Sequence, residues 1–407
     1  MVNVLFRPDA LSVTLIALVF AYILSELSKK LKLPRVVGQI LAGLILGVPV
    51  IKSWLFTDET TSAFSFMTNL GIILLFFFIG LEINFKQFSK NAKESSLIAL
   101  FNTTLPLFLG FLAGRVLFGF DNITSLIIGI SLSVSSVAVS LDILEEAKLL
   151  KTKIGNLIMT SGTVDDVFEL LLVSTILVLF HTVGEQSIQK LLFDILIFVV
   201  IILVFRISLI PFALKIFDKD KSRPTLFMGA LIIVLFMAYI SEIFSIGSLI
   251  GALIAGVLVR QTLLTGDERK PWEKNEISHL IHAISFGFFI PIFFVNVGLT
   301  TDIFRISSNI LLVVVLLIID VIGTIMGTVI GVSLSKGTIG EALIVGWGVI
   351  AKGDTELVIA TVALKSGLIN IDVFTAIIAV AFISTIIGPI VFNKLIKKFI
   401  NPKKKNS

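Results

Sequence analysis

The chain has 407 residues, of which 56% are hydrophobic and 15% charged. A soluble protein carries about 25% charged residues, so nearly the whole chain is predicted to lie in a membrane, and the absence of cysteine excludes disulfides, thiol chemistry and Cys-ligated metals. The net charge of +5 does not indicate a nucleic-acid partner, because the basic residues concentrate in loops between predicted membrane spans.

A membrane-spanning helix needs about 20 mostly apolar residues, and the chain offers thirteen such segments. The predicted spans, numbered in chain order, are 9–28, 36–56, 64–85, 95–118, 122–144, 154–181, 190–216, 224–243, 247–265, 277–299, 307–334, 340–364 and 371–394. No basic region followed by a small-residue cleavage site precedes the first span, so we interpret it as a retained helix and not a signal peptide. We predict one all-α integral membrane domain over residues 1–407.

Lysine and arginine are unevenly distributed between alternate loops. The loop after span 1 carries Lys29, Lys30, Lys32 and Arg35, and the loops after spans 3, 5, 7, 9 and 11 and the C-terminal segment continue this bias. The N-terminus and the other loops carry only Arg7, Lys52, Arg115, Lys190, Arg305 and Lys365. Because cytoplasmic loops are rich in Lys and Arg, we predict a multi-pass protein of the cell membrane with its N-terminus outside and its C-terminus in the cytoplasm.

An internal repeat relates spans that are seven positions apart. Two pairs of similar segments carry it: Gly38–Gly47 with Gly247–Gly256, and Leu75–Leu81 with Phe293–Leu299. An odd offset reverses the direction of crossing, so residues 9–181 and 224–394 are predicted to form two inverted six-helix repeats joined by a linker helix at 190–216. Inverted repeats are typical of transporters and place the transport site near the middle of the membrane.

Three predicted spans carry polar residues near their middle, where an ionisable side chain costs roughly 2.5–3.5 kcal/mol or more. They are Ser131, Ser133, Ser135, Ser136 and Ser140 in span 5, Asp165, Asp166 and Glu169 in span 6, and Lys352, Asp354 and Glu356 in span 12. Polar backbone is tolerated at that depth where it lines a cavity and unwinds. We therefore predict two broken, crossing helices, and we look for function first at the adjacent aspartates.

The two adjacent aspartates are predicted to have different roles. Neighbouring residues on a helix point about 100° apart, so Asp165 and Asp166 cannot serve one ligand identically. Lys352 is the only lysine predicted at mid-membrane, and a buried lysine keeps its charge best beside a carboxylate. Our hypothesis is that Asp166 binds a monovalent cation or a proton and that Asp165 pairs with Lys352. The alternative is a static buried network of these charges.

Several further polar residues are candidate accessory members of the site: Glu169, Ser133, Ser135, Ser136, Asp354 and Glu356. Glu169 is interpreted either as a relay or as a hydrogen-bond partner of a neighbouring helix. Asp354 and Glu356 are either structural partners of helix ends and basic residues or ion ligands. Serine commonly packs helices together, but the serines as a cluster indicate a cation path.

Six segments together resemble a known family. They are Val37–Gly47, Phe78–Glu82, Val134–Val139, Val164–Val167, Phe293–Leu299 and Lys352–Asp354. Through nearly its whole length the chain is similar to the monovalent cation/proton antiporters of the second class, especially the NapA type. The glutathione-gated Kef transporters are more distant relatives, and the adjacent aspartates disfavour that subgroup.

This resemblance implies a homodimer in which a moving core domain carries the ion by elevator-type alternating access. It implies Asp166 as the essential carrier, and the Asp-Asp pair with Lys352 implies electrogenic exchange of more than one proton per sodium ion. The chain departs from the family pattern at Asp354, where many relatives have glutamate, and at Glu169, which is an additional acid. The choice of ion and the stoichiometry are therefore open.

We predict a secondary antiporter that exchanges a monovalent cation, most readily Na+, for protons, with no enzymatic activity and no cofactor besides the transported ions. Proton and cation compete for the same carboxylates, which couples the two fluxes. The alternatives are a sodium-coupled solute symporter of the same architecture, a K+/H+ antiporter and a channel. An intramembrane aspartyl protease is disfavoured because Ala351 stands where that class has the first glycine of Gly-x-Gly-Asp.

Overall fold

A computed structural model of the protein describes residues 8–82 except 32, residues 92–165 with gaps at 138–139, 142, 145–146, 151 and 163, residues 223–263 except 245, residues 276–399, and a few short pieces between 168 and 207. We number the helices of this part in chain order: α1 Ala10–Lys30, α2 Arg35–Leu46, α3 Pro49–Leu55, α4 Asp58–Glu82, α5 Ala92–Leu112, α6 Asn122–Ser133, α7 Arg223–Ile243, α8 Ser248–Leu263, α9 Glu276–Ile284, α10 Ile290–Thr300, α11 Ile303–Ser308, α12 Ile310–Leu334, α13 Ile339–Val349, α14 Asp354–Lys365 and α15 Ile371–Phe399. A π-helical turn extends α5, and another joins α9 to α10. Every regular element that the structure describes is helical, as predicted.

Several helices are long and apolar enough to cross a membrane. By length and composition the described residues contain six such helices, or seven if one bent pair counts as a span. The bent pair is α2 and α3, which meet at 84°. Gly47 ends α2 and Pro49 begins α3, a position where proline is well tolerated because its missing N–H has no partner to lose. Predicted spans 6 and 7 lie largely outside the described residues, so the number thirteen stays a prediction.

Two helices are interrupted at the polar segments that the sequence singled out. α6 ends at Ser133, and residues 134–137 that follow are not helical. α13 ends at Val349 and α14 begins only at Asp354. The two breaks lie against each other, because the backbone N–H of Ser136 donates to the carbonyl oxygen of Ala351 at 2.7 Å. The prediction of two broken helices is thus confirmed.

The chain divides into two compact units. The first contains residues 1–21, 49–85 and 173–296, and the second contains residues 22–48, 86–172 and 297–407. Among the numbered helices, α3, α4, α7, α8 and α9 belong to the first unit. The second unit contains α2, α5, α6 and α11 to α15, while α1 and α10 begin in the first unit and end in the second.

Each unit contains a close helix crossing built on a pair of glycines. In the first unit, a Cβ atom placed on Gly80 would lie 3.0 Å from the Cα atom of Gly256. In the second unit, a Cβ atom on Gly298 would lie 2.8 Å from the Cα atom of Gly43. Only glycine permits backbones to approach so closely. Gly80 and Gly298 occupy the same position of the predicted repeat, whereas their partners Gly256 and Gly43 match only if that segment of the repeat is shifted by four residues.

A row of glycines on α12 determines how the second unit packs. Gly323, Gly327 and Gly331 recur every four residues and therefore share one face of the helix. A Cβ atom on Gly323 would lie 2.9 Å from the Cα atom of Pro106, and one on Gly331 would lie 2.6 Å from that of Ile98. The absence of side chains on this face allows α12 to lie directly against α5. This contact brings the polar middle of α5 into the interior of the unit.

Candidate ion-binding site

A buried lysine caps the end of α6, where the non-helical residues 134–137 form the break of this helix. Lys352, which is 4% exposed, lies in the break between α13 and α14. Its Nζ atom donates to the carbonyl oxygen of Leu132 at 2.6 Å and to that of Val134 at 2.8 Å. The last carbonyls of a helix lack partners within the helix and carry partial negative charge, so a cation there stabilises the end of α6. Thr385 hydrogen-bonds both the N–H and the carbonyl of Lys352, which fixes the backbone at this point.

Lys352 also forms a buried ion pair with an aspartate from α12. Its Nζ atom lies 2.7 Å from Oδ1 of Asp320, and the two side chains are 1% and 0% exposed. The other carboxylate oxygen of Asp320 accepts a hydrogen bond from the Ser384 hydroxyl at 2.5 Å. A buried charge needs a partner and further hydrogen bonds to offset its loss of hydration. The pair meets that requirement through α15, which supplies Ser384.

Asp165 is bound by neutral donors from two elements. It is 2% exposed and lies in the helical segment that begins at residue 153. Its carboxylate accepts hydrogen bonds from the Asn102 amide at 3.2 Å and from the hydroxyls of Thr103 and Ser135. Asn102 and Thr103 belong to α5, while Ser135 lies in the break of α6. The interrupted segment of α6 is therefore joined directly to Asp165.

The sequence analysis paired Lys352 with Asp165, whereas the ion pair that the structure describes joins Lys352 to Asp320. Lys352 does attract Asp165 electrostatically, but the described contacts of the Asp165 carboxylate are with neutral side chains. The difference arises because Asp320 comes from α12, which packs its glycine face on α5 and thereby brings this acid to the break. The sequence analysis did not consider Asp320.

The other candidate residues have varied environments. The Ser133 hydroxyl donates to the carbonyl of Ile130 in its own helix at 2.8 Å, so Ser133 is satisfied locally. The structure brings Ser135 to Asp165, and it joins the backbone of Ser136 to the second break. Glu356 is 0% exposed and lies in the first turn of α14, which begins at Asp354. The remaining two candidates, Asp166 and Glu169, lie outside the described residues.

Sequence reasoning missed four residues of this site: Asn102, Thr103, Asp320 and Ser384. A signal was available for some of them. Asp320 is the only charged residue of α12, and an ionisable residue inside a span is by default a candidate functional residue. Asn102 and Thr103 form part of a polar run in the middle of α5. Ser384 carries no comparable signal, because single serines are common in membrane helices.

Comparison with known proteins shows the family to which the chain belongs and a solved structure with its fold. The sequence profile of the family described as "Sodium/hydrogen exchanger, transmembrane" matches residues 14–398. The "Na(+)/H(+) antiporter" of Enterococcus hirae is 29% identical over 96% of this chain and 99% of its own length. "Probable Na(+)/H(+) antiporter 3" of Methanocaldococcus jannaschii is 31% identical over 96% of this chain and 98% of its own length. The "Na(+)/H(+)-K(+) antiporter GerN" of Bacillus cereus is 27% identical over 89% of this chain and 90% of its own length.

A solved structure shows the same fold at lower sequence identity. The sodium proton antiporter MjNhaP1 from Methanocaldococcus jannaschii at pH 8 superposes with a TM-score of 0.70 at 15% identity, covering 96% of this chain and 99% of that one. The profile match extends over nearly the whole chain, and the family consists of transporters, which confirms the prediction of a multi-pass membrane transporter and not an enzyme. The chain belongs to the sodium/hydrogen exchanger family of transmembrane proteins.

Proposed function

We propose that this protein is a secondary antiporter that exchanges Na+ for protons across the cell membrane. The observation that carries the proposal is the buried Asp165 carboxylate, bound by three neutral donors at the break of α6. A carboxylate that neutral donors hold in place at this depth marks a polar site, where a cation or a proton bound at the pair of aspartates offsets the cost of the charge. The printed names of the relatives from Enterococcus hirae and Methanocaldococcus jannaschii support the same activity.

The two aspartates are proposed to divide the work. Three hydrogen bonds orient Asp165, so we assign it the role of a positioning residue that ties the site to the interrupted segment of α6. Adjacent residues of a helix point about 100° apart, so the neighbouring Asp166 is proposed to carry the monovalent cation or the proton. Because the two ions compete for this carboxylate, binding of one disfavours the other. The empty, charged site is costly to move through the membrane, which couples the two fluxes.

The wider mechanism is proposed from the family resemblance. We infer a homodimer of a single integral membrane domain, elevator-type alternating access, an N-terminus outside and a C-terminus in the cytoplasm. Two glycine crossings, Gly80 with Gly256 and Gly298 with Gly43, support the inverted repeat that such a mechanism uses, because Gly80 and Gly298 occupy matching positions of it. The adjacent aspartates and Lys352 favour the NapA type and electrogenic exchange of more than one proton per Na+.

Potassium is the second candidate cation, because the relative from Bacillus cereus is named as a Na(+)/H(+)-K(+) antiporter. Ion preference depends on the size of the site and on the number of its ligands. The K+ alternative uses the same carboxylates and the same coupling. The Na+ and K+ alternatives are separated by comparing the proton movement that each cation drives at a clamped membrane potential.

The experiment is cation-induced proton movement in proteoliposomes with an internal pH indicator and a clamped membrane potential. Wild type is expected to release protons on addition of Na+ without any organic solute, and a requirement for such a solute would instead support a symporter. Asp166→Asn is expected to abolish the response, and full activity in this variant would refute the carrier role. Asp121→Asn, at the exposed start of α6, is the matched control for loss of one carboxylate. Absence of Na+-, Li+- and K+-driven proton movement in wild type would refute the function itself.

A further inference from the structure

Glu356 is a buried acid in the first turn of α14. Its side chain is 0% exposed, and neither carboxylate oxygen has a hydrogen-bond partner among the residues that the structure describes. Buried polar atoms are nearly always hydrogen-bonded, so a carboxyl group in this condition requires an explanation. An ionised carboxylate would be far more costly here than a neutral carboxylic acid. A proton on Glu356 would remove this cost.

The charged surroundings of Glu356 that the structure describes consist of one ion pair. Among the described side chains, Lys352 and Asp320 act on it electrostatically. α6, which packs on α14, has no charged residue, and those of α15 lie in its first two and last six residues. Since Lys352 and Asp320 neutralise each other, the cluster is neutral only while Glu356 keeps its proton. Loss of that proton leaves one net negative charge beside the break of α6.

Three acceptors already surround the ammonium group of Lys352. It has three N–H donors, and the structure shows contacts with three acceptors, namely the carbonyls of Leu132 and Val134 and the carboxylate of Asp320. A carboxylate is a stronger acceptor for an ammonium group than a neutral carbonyl. An ionised Glu356 would therefore draw Lys352 away from one of the carbonyls, not from Asp320.

We propose that Glu356 is a second proton-binding site, separate from Asp165 and Asp166, whose proton release shifts Lys352 from the end of α6 and raises the affinity of the transport site for Na+. The O–H bond of Glu356 breaks, and the proton passes to solvent water. A small cavity lined by Lys352, Gly353, Leu357 and Thr385 lies beside Leu357, the next residue in the chain. The ammonium of Lys352 then hydrogen-bonds the new carboxylate. Reprotonation reverses each step.

The proposal connects the second proton to the first site through known contacts. Val134 accepts from Lys352, and the next residue, Ser135, donates to Asp165. Loss of the hydrogen bond between Lys352 and the Val134 carbonyl therefore loosens the segment whose Ser135 positions Asp165. The additional negative charge on Glu356 also raises the Na+ affinity of the transport site, because it attracts a cation nearby. This inference rests on the proposed Na+/H+ exchange and adds a pH-dependent control of its cation affinity.

The test measures Na+ binding to the purified full-length protein from acidic to alkaline pH, with Na+-induced thermal stabilisation as the readout. Wild type, Glu356→Gln and Thr375→Val are compared. Thr375 is a matched control, because its hydroxyl is also buried and without a hydrogen-bond partner among the described residues but carries no titratable proton. Thr375→Val is expected to show the wild-type increase of Na+ affinity with pH. Glu356→Gln is expected to show a weaker increase, with affinity reduced about tenfold at alkaline pH, equivalent to one pKa unit.

Two outcomes would overturn the inference. The first is an identical pH dependence of Na+ affinity in Glu356→Gln and Thr375→Val. The second concerns the infrared band of a protonated carboxyl group. If wild type shows no such band that is absent from Glu356→Gln and disappears as the pH rises, Glu356 does not release a proton. If Glu356→Gln does not fold, Glu356→Asp serves instead, and its affinity curve must shift along the pH axis. A wild type that binds or exchanges no cation at all would refute the proposed function, which is a distinguishable result.

Discussion

Replacing Lys352 with methionine would leave Asp320 buried without its described ion-pair partner. The Nζ and Oδ1 atoms are 2.7 Å apart, and both side chains are almost fully buried. At an effective dielectric constant of about 20, Coulomb's law gives an attraction of about 6 kcal/mol at that distance. The desolvation cost already offset in the pair lowers the net effect, so removal of one partner is expected to reduce the free energy of unfolding by about 3–5 kcal/mol.

A double-mutant cycle separates the ion pair from the other contacts of Lys352. Lys352→Met also removes two hydrogen bonds to the end of α6, worth about 2 kcal/mol together. Adding Asp320→Asn removes the unpaired carboxylate, so the double variant is expected to be more stable than Lys352→Met alone, while remaining less stable than wild type. The measurement is equilibrium unfolding of the purified protein in detergent, followed by tryptophan fluorescence.

The same cycle with Asp165→Asn distinguishes the pairing in the structure from the pairing expected from sequence. Because the described contacts of Asp165 are with Asn102, Thr103 and Ser135, its coupling to Lys352 should be well below that of Asp320. A coupling between Lys352 and Asp165 that equals or exceeds the coupling between Lys352 and Asp320 would refute this reasoning.

Two further predictions concern packing and helix capping. Gly327→Ala places a methyl group 2.8 Å from the carbonyl carbon of Phe101 and is expected to lower the stability measured by thermal unfolding by about 1–3 kcal/mol. The control Gly340→Ala should not destabilise the protein, because the new methyl group would meet only the Thr338 hydroxyl, at 4.0 Å. Equal effects of the two substitutions would contradict the close contact between α5 and α12. Asp121→Ala removes the N-cap of α6 and is expected to cost about 1 kcal/mol. Hydrogen bonds from Thr124 lower the pKa of Asp121 below its ordinary 3.8. The stabilisation by this cap is therefore fully present above pH 3.8 and disappears as the pH falls through the folded-state pKa. A difference in unfolding midpoint between wild type and Asp121→Ala that persists at strongly acidic pH would argue against the cap.

The sequence pattern was sufficient to locate the breaks but not to identify every partner at them. Serine-rich and charged interruptions in apolar spans predict unwinding, and α6 and α13 end there. Which acid meets Lys352 depends on which helices touch, and one sequence does not determine that. The glycine row of α12 permits a close contact, but its spacing alone does not name α5 as the partner or place Asp320 at the break.

The bend between α2 and α3 shows a different kind of limit. Gly47 and Pro49 lie within predicted span 2, and both are punctuation residues that end one helix and begin another. The hydropathy of residues 36–56 is nevertheless continuous enough to predict a single span. Averaging over about 20 residues detects membrane character but hides an 84° change of direction.

The capping of α6 by Lys352 also has a consequence for synthesis of the protein. The hydrogen bonds from Lys352 to Leu132 and Val134 join residues that are 220 and 218 positions apart in the chain. The ribosome therefore produces α6 and Asp165 long before the lysine that completes them, and contacts of such long range form late. A chain truncated before Lys352 would present an uncapped helix end and an unpaired Asp320 inside the bilayer, which is a feature that membrane quality control can recognise.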